Sequence, residues 1–283
     1  MGPSQVEPRK ADQRNEIMLR VIIIASGKEY QRAAAFAAST FTIHARVPDS
    51  VSVLIPSGEK KTSFLGRSSG KYGFLIEKFP FTAQRPEYFT SQLKCQALAW
   101  RVTHLERKEI ALFTDADTCC LKPIRLSKDT RVEFMAGHIG LVPDIEDRHF
   151  KDSSVPWYLA PKERSVYVNS GVIFASRRAH SFFEHVRRLS EEPRFFSGPF
   201  NDQKVINFAL GKYYPGLLVS MDRKFNSIGS MQKKTVIAHF AGGAGFLAQQ
   251  RRRVDHEQMC KNVCLKILHP KILTQLKHCV LHR

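Results

Sequence analysis

Two carboxylates one residue apart, Asp115 and Asp117, directly follow an apolar run at residues 110–114. A run of this length is typical of a buried strand, and ligands collect beyond the carboxyl ends of strands in open α/β sheets. Alternate side chains of an extended segment share a face, where two like charges repel each other unless a cation lies beside them. Carboxylate oxygens suit Mn²⁺ or Mg²⁺. The pattern predicts a divalent metal site, with an Asp-rich turn after a strand as the alternative.

Other polar residues lie where apolar segments or helices begin or end. Asn-Ser-Gly at 169–171 opens one apolar segment, and His239 lies near the end of another. Asp202 and Gln203 begin an amphipathic segment, and Lys94 lies early in the helical segment before the two aspartates. Each position is a candidate for ligand binding. Each also has a structural alternative, which is respectively a turn, a core histidine, a helix cap and a solvated helix face.

The hydrophobic pattern predicts an α/β domain that positions these residues. Apolar runs alternate with amphipathic segments, which is typical of a mostly parallel sheet flanked by helices. The basic, Ser/Gly-rich stretch 58–70 is predicted to be a loop. Strands are predicted at 19–25, 51–55, 110–114, 165–175, 216–220 and 235–240, and helices at 29–41, 91–105, 177–190 and 201–210.

In combination, the motifs resemble those of the glycogenin-like retaining glycosyltransferases. The family pattern of an apolar strand, Asp-Ala-Asp and an apolar-x-Pro-apolar turn occurs at 110–124. Asn-Ser-Gly at 169–171, Asp-Gln at 202–203 and His-Phe-x-Gly at 239–242 follow in the family's order, and the resemblance covers 19–245. It implies the GT-A fold, a Rossmann-like α/β fold with a mixed central sheet flanked by helices. The expected organisation is an N-terminal polar segment at 1–18, a catalytic domain at 19–250 and a basic helical C-terminal segment at 251–283.

The resemblance implies a metal-dependent glycosyltransferase of the hexosyltransferase type. Such an enzyme moves a sugar from a nucleotide-diphosphate donor, here a UDP-sugar by preference, to a glycan, lipid or protein acceptor with retention. By resemblance, the metal is Mn²⁺ or Mg²⁺ with Asp115, Asp117 and His239 as ligands, and the catalytic residues are Asp202, Gln203 and Asn169. The implied donor-binding residues are Ala25, Ser26, Tyr30, Lys94, Asp115, Ala116, Asp117, Ser170, Gly171 and Gly242.

The chain departs from the family pattern at both ends of the implied donor site. The family's acidic residue that contacts uracil aligns with Gly27 here, so the sequence does not determine which nucleotide base the donor carries. The family's lysine after His-Phe-x-Gly is absent, and the glycines at 243–245 or the arginines at 251–253 are candidates to replace it. The loop expected to contact the acceptor is 137–164, which contains His138, Asp144, Trp157 and Tyr158.

The formal net charge of +18 favours anionic partners such as nucleotide phosphates, acidic lipids or nucleic acid. A sugar-phosphate nucleotidyltransferase is one alternative function, but its Gly-rich phosphate loop is not matched by the single glycine at 26–29. A basic nucleic-acid-binding protein is another, although the chain has no zinc-finger spacing or aromatic RNA-binding signature, so no specific nucleic acid is expected. The polar start of the chain predicts a cytoplasmic protein, which could associate peripherally with a membrane. A luminal protein is the alternative if an N-terminal anchor has been trimmed.

The C-terminal segment 251–283 is predicted to dock on an anionic membrane surface. Three consecutive arginines precede apolar residues interleaved with lysines, a composition that suits an interfacial helix; a helix pair packed on the domain is the alternative. Because each basic group contributes about 1 kcal/mol near an anionic leaflet, the full chain should co-sediment with anionic liposomes at low salt. A chain that ends at Gln250 should stay in the supernatant. Equal pelleting of the two chains would contradict docking.

Overall fold

The computed structural model describes residues 17–45, 50–82, 89–144, 167–195, 201–228 and 232–239. Within these ranges the strands are β1 Met18–Ile24, β2 Val51–Pro56, β3 Leu75–Phe79, β4 Glu109–Asp115, β5 Thr118–Cys120, β6 Ile139–Pro143, β7 Val168–Ser176, β8 Leu218–Ser220, β9 Ser227–Ile228 and β10 Ile237–His239. The α-helices are α1 Gly27–Ala45, α2 Ser63–Tyr72, α3 Phe89–Thr103, α4 Lys128–Ala136, α5 His180–Leu189 and α6 Asn201–Tyr213, with 3₁₀ turns at Arg177–Ala179, Pro193–Phe195 and Arg223–Phe225.

Seven strands form a mixed central sheet in the order β3-β2-β1-β4-β7-β6-β8. Strands β3, β2, β1 and β4 are parallel, whereas β7 is antiparallel to both β4 and β6. From β1 the chain passes outward to β2 and β3, and it then returns to form β4 on the other side of β1. The crevice beyond the ends of β1 and β4 is therefore a topological switch point. Ile24 pairs with Asp115 at this point.

The first strand has no polar face because helices cover the sheet on both sides. Ile22 and Ile24 belong to a core with α3, α5 and α6, while Val21 and Ile23 belong to a second core with α1, α2 and α4. A strand that is buried on both faces has a continuous apolar run instead of alternation. This explains why the sequence pattern predicted β1 correctly.

Two expectations about local structure were wrong. The 58–70 stretch contains most of α2, which begins after the capping residue Thr62 and ends at Gly73 with a φ of 77°. Only Leu65 and Ser68 of α2 are buried, so its hydrophobic signal is weak. No helix or strand was predicted between the strands at 110–114 and 165–175, but this segment contains β5, α4 and β6. Four of the six strand pairings in the central sheet are parallel, as the pattern predicted, and the other two are the antiparallel pairings of β7 with β4 and β6.

A small second sheet, in the order β5-β10-β9, lies beside the central sheet. Strand β5 follows β4 after a two-residue turn, and β10 pairs with it antiparallel, with His239 opposite Thr118. The backbone N–H of Cys120 donates to Thr40 Oγ1 of α1, which anchors β5 on that helix. Within the described residues, no helix is both long and apolar enough to cross a membrane.

Candidate active site

The turn between β4 and β5 presents Asp115 and Asp117 on the same side of the chain. Thr118 Oγ1 donates to the carbonyl of Asp115 at 2.8 Å and lies 2.9 Å from Thr114 Oγ1, which fixes the turn. Ala116, between the two carboxylates, is buried in the apolar core. The two carboxylates therefore face the crevice at the strand ends because of this turn, and not through the alternation expected from an extended segment.

The small sheet brings His239 to these carboxylates from a distant part of the chain. His239 Nε2 lies 3.4 Å from Asp117 Oδ1 and 3.8 Å from Asp115 Oδ2. One ligand atom from each of the three residues lies within 4.8 Å of the others. The imidazole is buried, as the core-histidine alternative required, but its Nε2 faces two carboxylates.

The absence of a side chain at Gly171 makes room for the His239 ring. A Cβ atom at this position would lie 2.0 Å from His239 Cε1 and 2.5 Å from Nδ1, far inside van der Waals contact. The backbone of Gly171 has no positive φ, so close approach and not conformational freedom requires the glycine. The other ring nitrogen, Nδ1, lies 2.9 Å from Oδ1 of the buried Asn226. No sequence motif pointed to Asn226.

Lys94 links Asp115, at the end of β4, to the start of α6. Its Nζ lies 2.7 Å from Asp115 Oδ1 and 3.0 Å from Asp202 Oδ2, and it contacts Ser170 Oγ at 3.4 Å. The Ser170 hydroxyl also donates to Asp202 Oδ2 at 2.8 Å. Lys94 is buried, so it is not on a solvated helix face. The carboxylate of Asp202 binds groups outside its own helix, which a helix cap alone does not do.

The amides of Asn169 and Gln203 converge on a third carboxylate, that of Asp144 at the end of β6. Both side-chain amides donate to Asp144 Oδ2 at 3.3 Å, and the backbone N–H of Ser170 donates to Gln203 Oε1 at 3.1 Å. Asp144 had been assigned only to the expected acceptor loop. It reaches the site because β6 pairs antiparallel with β7, which brings the end of one strand to the start of the other.

The remaining implied donor residues lie at the end of β1 and the start of α1. Tyr30 is 45 % exposed, and burial together with the nearby Asp117 and Asp115 carboxylates raises the pKa of its phenol. Ser26 donates its hydroxyl to Glu59, whose carboxylate also accepts the Gly27 backbone N–H at 2.9 Å. A carboxylate thus lies beside Gly27 although it comes from the loop after β2. Ala25 is buried at the end of β1, and Gly242 lies outside the described residues.

The electrostatics of the cluster favour a bound cation. Burial raises the pKa of Asp115, Lys94 partly opposes this rise, and Asp117 adds to it. Burial alone would lower the pKa of His239, but Asp117 and Asp115 reverse the shift and raise it. The rise at Asp115 comes mainly from burial, whereas the rise at His239 against burial indicates that negative charge predominates around the ring.

The donor set and its spacing fit a hard divalent cation. An ion with ligands at about 2.1 Å places its donor atoms roughly 3 to 4 Å apart. The separations of 3.4 and 3.8 Å from His239 Nε2 to the carboxylate oxygens lie in this range. Lys94 occupies Asp115 Oδ1, which leaves Oδ2 for the cation. Asp115, Asp117 and His239 therefore form a possible metal site.

No protein-family model and no curated protein sequence matches this chain, but solved structures match its fold. The galactosyltransferase LgtC, solved with donor and acceptor sugar analogues, superposes with a TM-score of 0.57 at 14 % identity, over 94 % of this chain and 97 % of LgtC. The bifunctional glycosyltransferase WbbM matches with a TM-score of 0.54 at 14 % identity over 84 % of this chain. The match covers 47 % of WbbM, so this chain spans about half its length.

Mouse xyloside xylosyltransferase 1 matches with a TM-score of 0.50 at 14 % identity, over 80 % of this chain and 98 % of the mouse chain. The chain has the GT-A fold. The expected fold class is confirmed. At this identity the likeness establishes the GT-A architecture, and the reaction has to be argued from the site.

We predict that Gly171→Ala displaces the His239 ring and weakens Mn²⁺ binding in the presence of UDP by about tenfold or more. The added Cβ overlaps three ring atoms, and the contact lies inside a buried strand that cannot shift freely. Calorimetric titration with Mn²⁺ measures the effect. Gly58→Ala is the matched control, because a Cβ there meets nothing within 4 Å. Equal affinities in the two variants would contradict the proposed position of His239 as a ligand.

Proposed function

We propose that this protein is a metal-dependent glycosyltransferase that uses a nucleotide-diphosphate sugar, with a UDP-hexose as the favoured donor. The main support is the convergence of Asp115, Asp117 and His239 at the switch point of a GT-A sheet, beside the buried Lys94–Asp202 pair. In open α/β sheets the crevice at this position is where ligands bind. LgtC, with the same fold, was solved with donor and acceptor sugar analogues.

Asp115, Asp117 and His239 would hold Mn²⁺ or Mg²⁺. When bound, such an ion neutralises the charge that grows on a diphosphate leaving group. Lys94 contributes a second positive charge on the other side of Asp115. Burial would lower its pKa, but Asp115 and Asp202 outweigh burial and raise it, so Lys94 stays protonated at neutral pH.

Asp202 supplies a fixed negative charge next to the metal site. Burial would raise the pKa of its carboxyl, but Lys94 and the hydrogen bond from Ser170 outweigh burial and lower it. The group is therefore ionised at neutral pH. Glycosyl transfer passes through a transition state with positive character on the sugar ring, which an oriented carboxylate stabilises. We assign this role to Asp202.

Gln203 and Asn169 position the sugar by holding the groups around it. Each amide is fixed by hydrogen bonds, so neither side chain has to be ordered when the donor binds. Asp144 is half-buried at the rim of the same cluster and offers acceptor oxygens to a sugar hydroxyl. A pre-ordered polar site lowers the entropic cost of holding the substrate in one orientation.

The acceptor would be a glycan, lipid or protein, and transfer would proceed with retention of configuration, as the motif resemblance implies. Much of the expected acceptor loop, from 145 to 164, lies outside the described residues, as does the C-terminal segment at 251–283. The division into segments at 1–18, 19–250 and 251–283, attachment to an anionic membrane and a cytoplasmic or luminal location remain predictions of the sequence.

We predict that Asp117→Ala weakens Mn²⁺ binding in the presence of UDP by roughly a hundredfold or more. Removal of a charged ligand should cost more than removal of a residue behind a ligand, which typically costs 10–100-fold. Calorimetry measures the affinity, and far-ultraviolet circular dichroism checks that the variant is folded. Asp129→Ala on the exposed surface of α4 is the control and should bind as the wild type does. A folded Asp117 variant with unchanged affinity would refute the metal assignment.

We further predict that Asp202→Asn lowers kcat for donor hydrolysis or transfer by about a hundredfold, with a much smaller loss of donor affinity. The substitution keeps the shape of the side chain but removes the negative charge that matters most in the transition state. A panel of nucleotide-sugars with Mn²⁺ and simple acceptors measures kcat and KM. Equal losses in rate and affinity would reduce Asp202 to substrate positioning, and unchanged kinetics would make it structural.

A further inference from the structure

Asn226 lies between the proposed metal ligand His239 and the sugar-site residue Asn169. It follows the 3₁₀ turn Arg223–Phe225, is 3 % exposed and has both ends of its amide paired. Its Oδ1 lies 2.9 Å from His239 Nδ1, and its Nδ2 donates to Asn169 Oδ1 at 2.8 Å. The proposed function has no role for this residue.

The hydrogen-bond chain determines which atom of each amide faces which partner. The backbone N–H of Gly171 can only donate, so the Asn169 atom 2.8 Å from it must be the oxygen. The opposite end of Asn169 faces the carboxylate of Asp144, an acceptor, and must be the NH₂ group. The end of Asn226 that contacts Asn169 Oδ1 is then its NH₂ group, and its oxygen faces His239.

The orientation of Asn226 in turn selects the form of the His239 ring. An oxygen 2.9 Å from Nδ1 requires a hydrogen on Nδ1, so in the neutral imidazole the lone pair is on Nε2. Nε2 is the atom that faces Asp117 and Asp115. Ligating histidines commonly donate their other ring N–H to such a partner, which fixes both the tautomer and the ring orientation.

We propose that Asn226 is a positioning residue that presents Nε2 of His239 to the metal ion. A series of hydrogen bonds leads from the Gly171 backbone N–H through Asn169 and Asn226 to the His239 ring. Gly171 also leaves room for that ring because it has no side chain. The start of β7 therefore determines both the space available to the His239 ring and the tautomer of that ring. This inference rests on the proposed metal site.

A packing role for Asn226 predicts a different pattern of effects from a positioning role. Asn226→Leu keeps a similar volume but removes the acceptor, whereas Asn226→Asp keeps an acceptor for Nδ1 but places a charge against Asn169 Oδ1. If Asn226 only fills space, the leucine variant should be tolerated better than the aspartate variant. If it orients His239, the aspartate variant should retain more metal affinity than the leucine variant.

The experiment measures Mn²⁺ affinity in the presence of UDP by calorimetry on the full chain. Asn226→Leu should bind 10–100-fold more weakly than the wild type, and Asn226→Asp should recover most of that loss. Asn207→Leu is the matched control, because Asn207 is also buried and its hydrogen bonds within the described residues go to the backbone of Val168 and Gln203. It should lose thermal stability without a comparable loss of Mn²⁺ affinity.

A second readout needs no metal. The ¹⁵N shifts of the His239 side chain, measured at a pH at which its own titration shows the imidazole to be neutral, should show hydrogen on Nδ1 in the wild type and lose that preference in Asn226→Leu. Wild-type protein that binds no Mn²⁺ would overturn the proposed function and, with it, this role. Wild-type binding together with unchanged affinity in Asn226→Leu, or an equal loss in Asn207→Leu, would overturn the role of Asn226 alone.

Discussion

The contact between the buried Lys94 ammonium and the carboxylates of Asp115 and Asp202 is the interaction on which the site depends. Asp115 ends a strand, Asp202 begins a helix, and Lys94 comes from a third element, so one charged group ties α3, β4 and α6 together. Because the Lys94 side chain is buried, removal of either carboxylate would leave part of its charge uncompensated, which is unfavourable where water is largely excluded. Lys94 neutralises only part of the negative charge, since its one positive charge lies against the carboxylates of both Asp115 and Asp202, and Asp117 adds a third carboxylate beside Asp115. The remaining charge makes the neighbouring position suitable for a cation.

The mixed topology of the sheet is the second requirement. If β7 ran parallel to β4, the first residues of β7 would lie at the opposite end of the strands from Asp115. Because β7 is antiparallel to β4, the start of β7 with Asn169, Ser170 and Gly171 lies beside the end of β4. The same reversal pairs β7 with β6 and brings Asp144 into the cluster. The reversal at β7 thus adds a second polar wall to the crevice at the topological switch point.

The small sheet brings His239, which is far from Asp115 in the sequence, to the turn after β4. Strand β5 continues directly from the two aspartates and is anchored on α1 by Thr40, so it offers a ready edge for β10. Pairing along β5 carries His239 back to the turn. Asn226 lies between the 3₁₀ turn Arg223–Phe225 and β9, and β9 pairs with β10. The His239 ring therefore contacts Asn226 through Nδ1 and faces the carboxylates through Nε2. The carboxylate of Glu59 beside Gly27 is another case in which a group from one loop completes the end of another.

The sequence alone determined the elements whose signals are local. The apolar runs of β1, β2 and β4 are continuous because both sheet faces are covered, and Asp115 and Asp117 were identifiable because they follow such a run. Helix α2 was missed because it buries only two side chains, and β5, α4 and β6 were missed because they are short or weakly apolar. Only the tertiary structure showed that Lys94 pairs with Asp202, that Asp144 joins the site, and that Asn226 holds His239. Each of these contacts joins residues far apart in the chain, and the pairing of strands and the packing of helices decide them, because no local pattern records which strand will lie beside which.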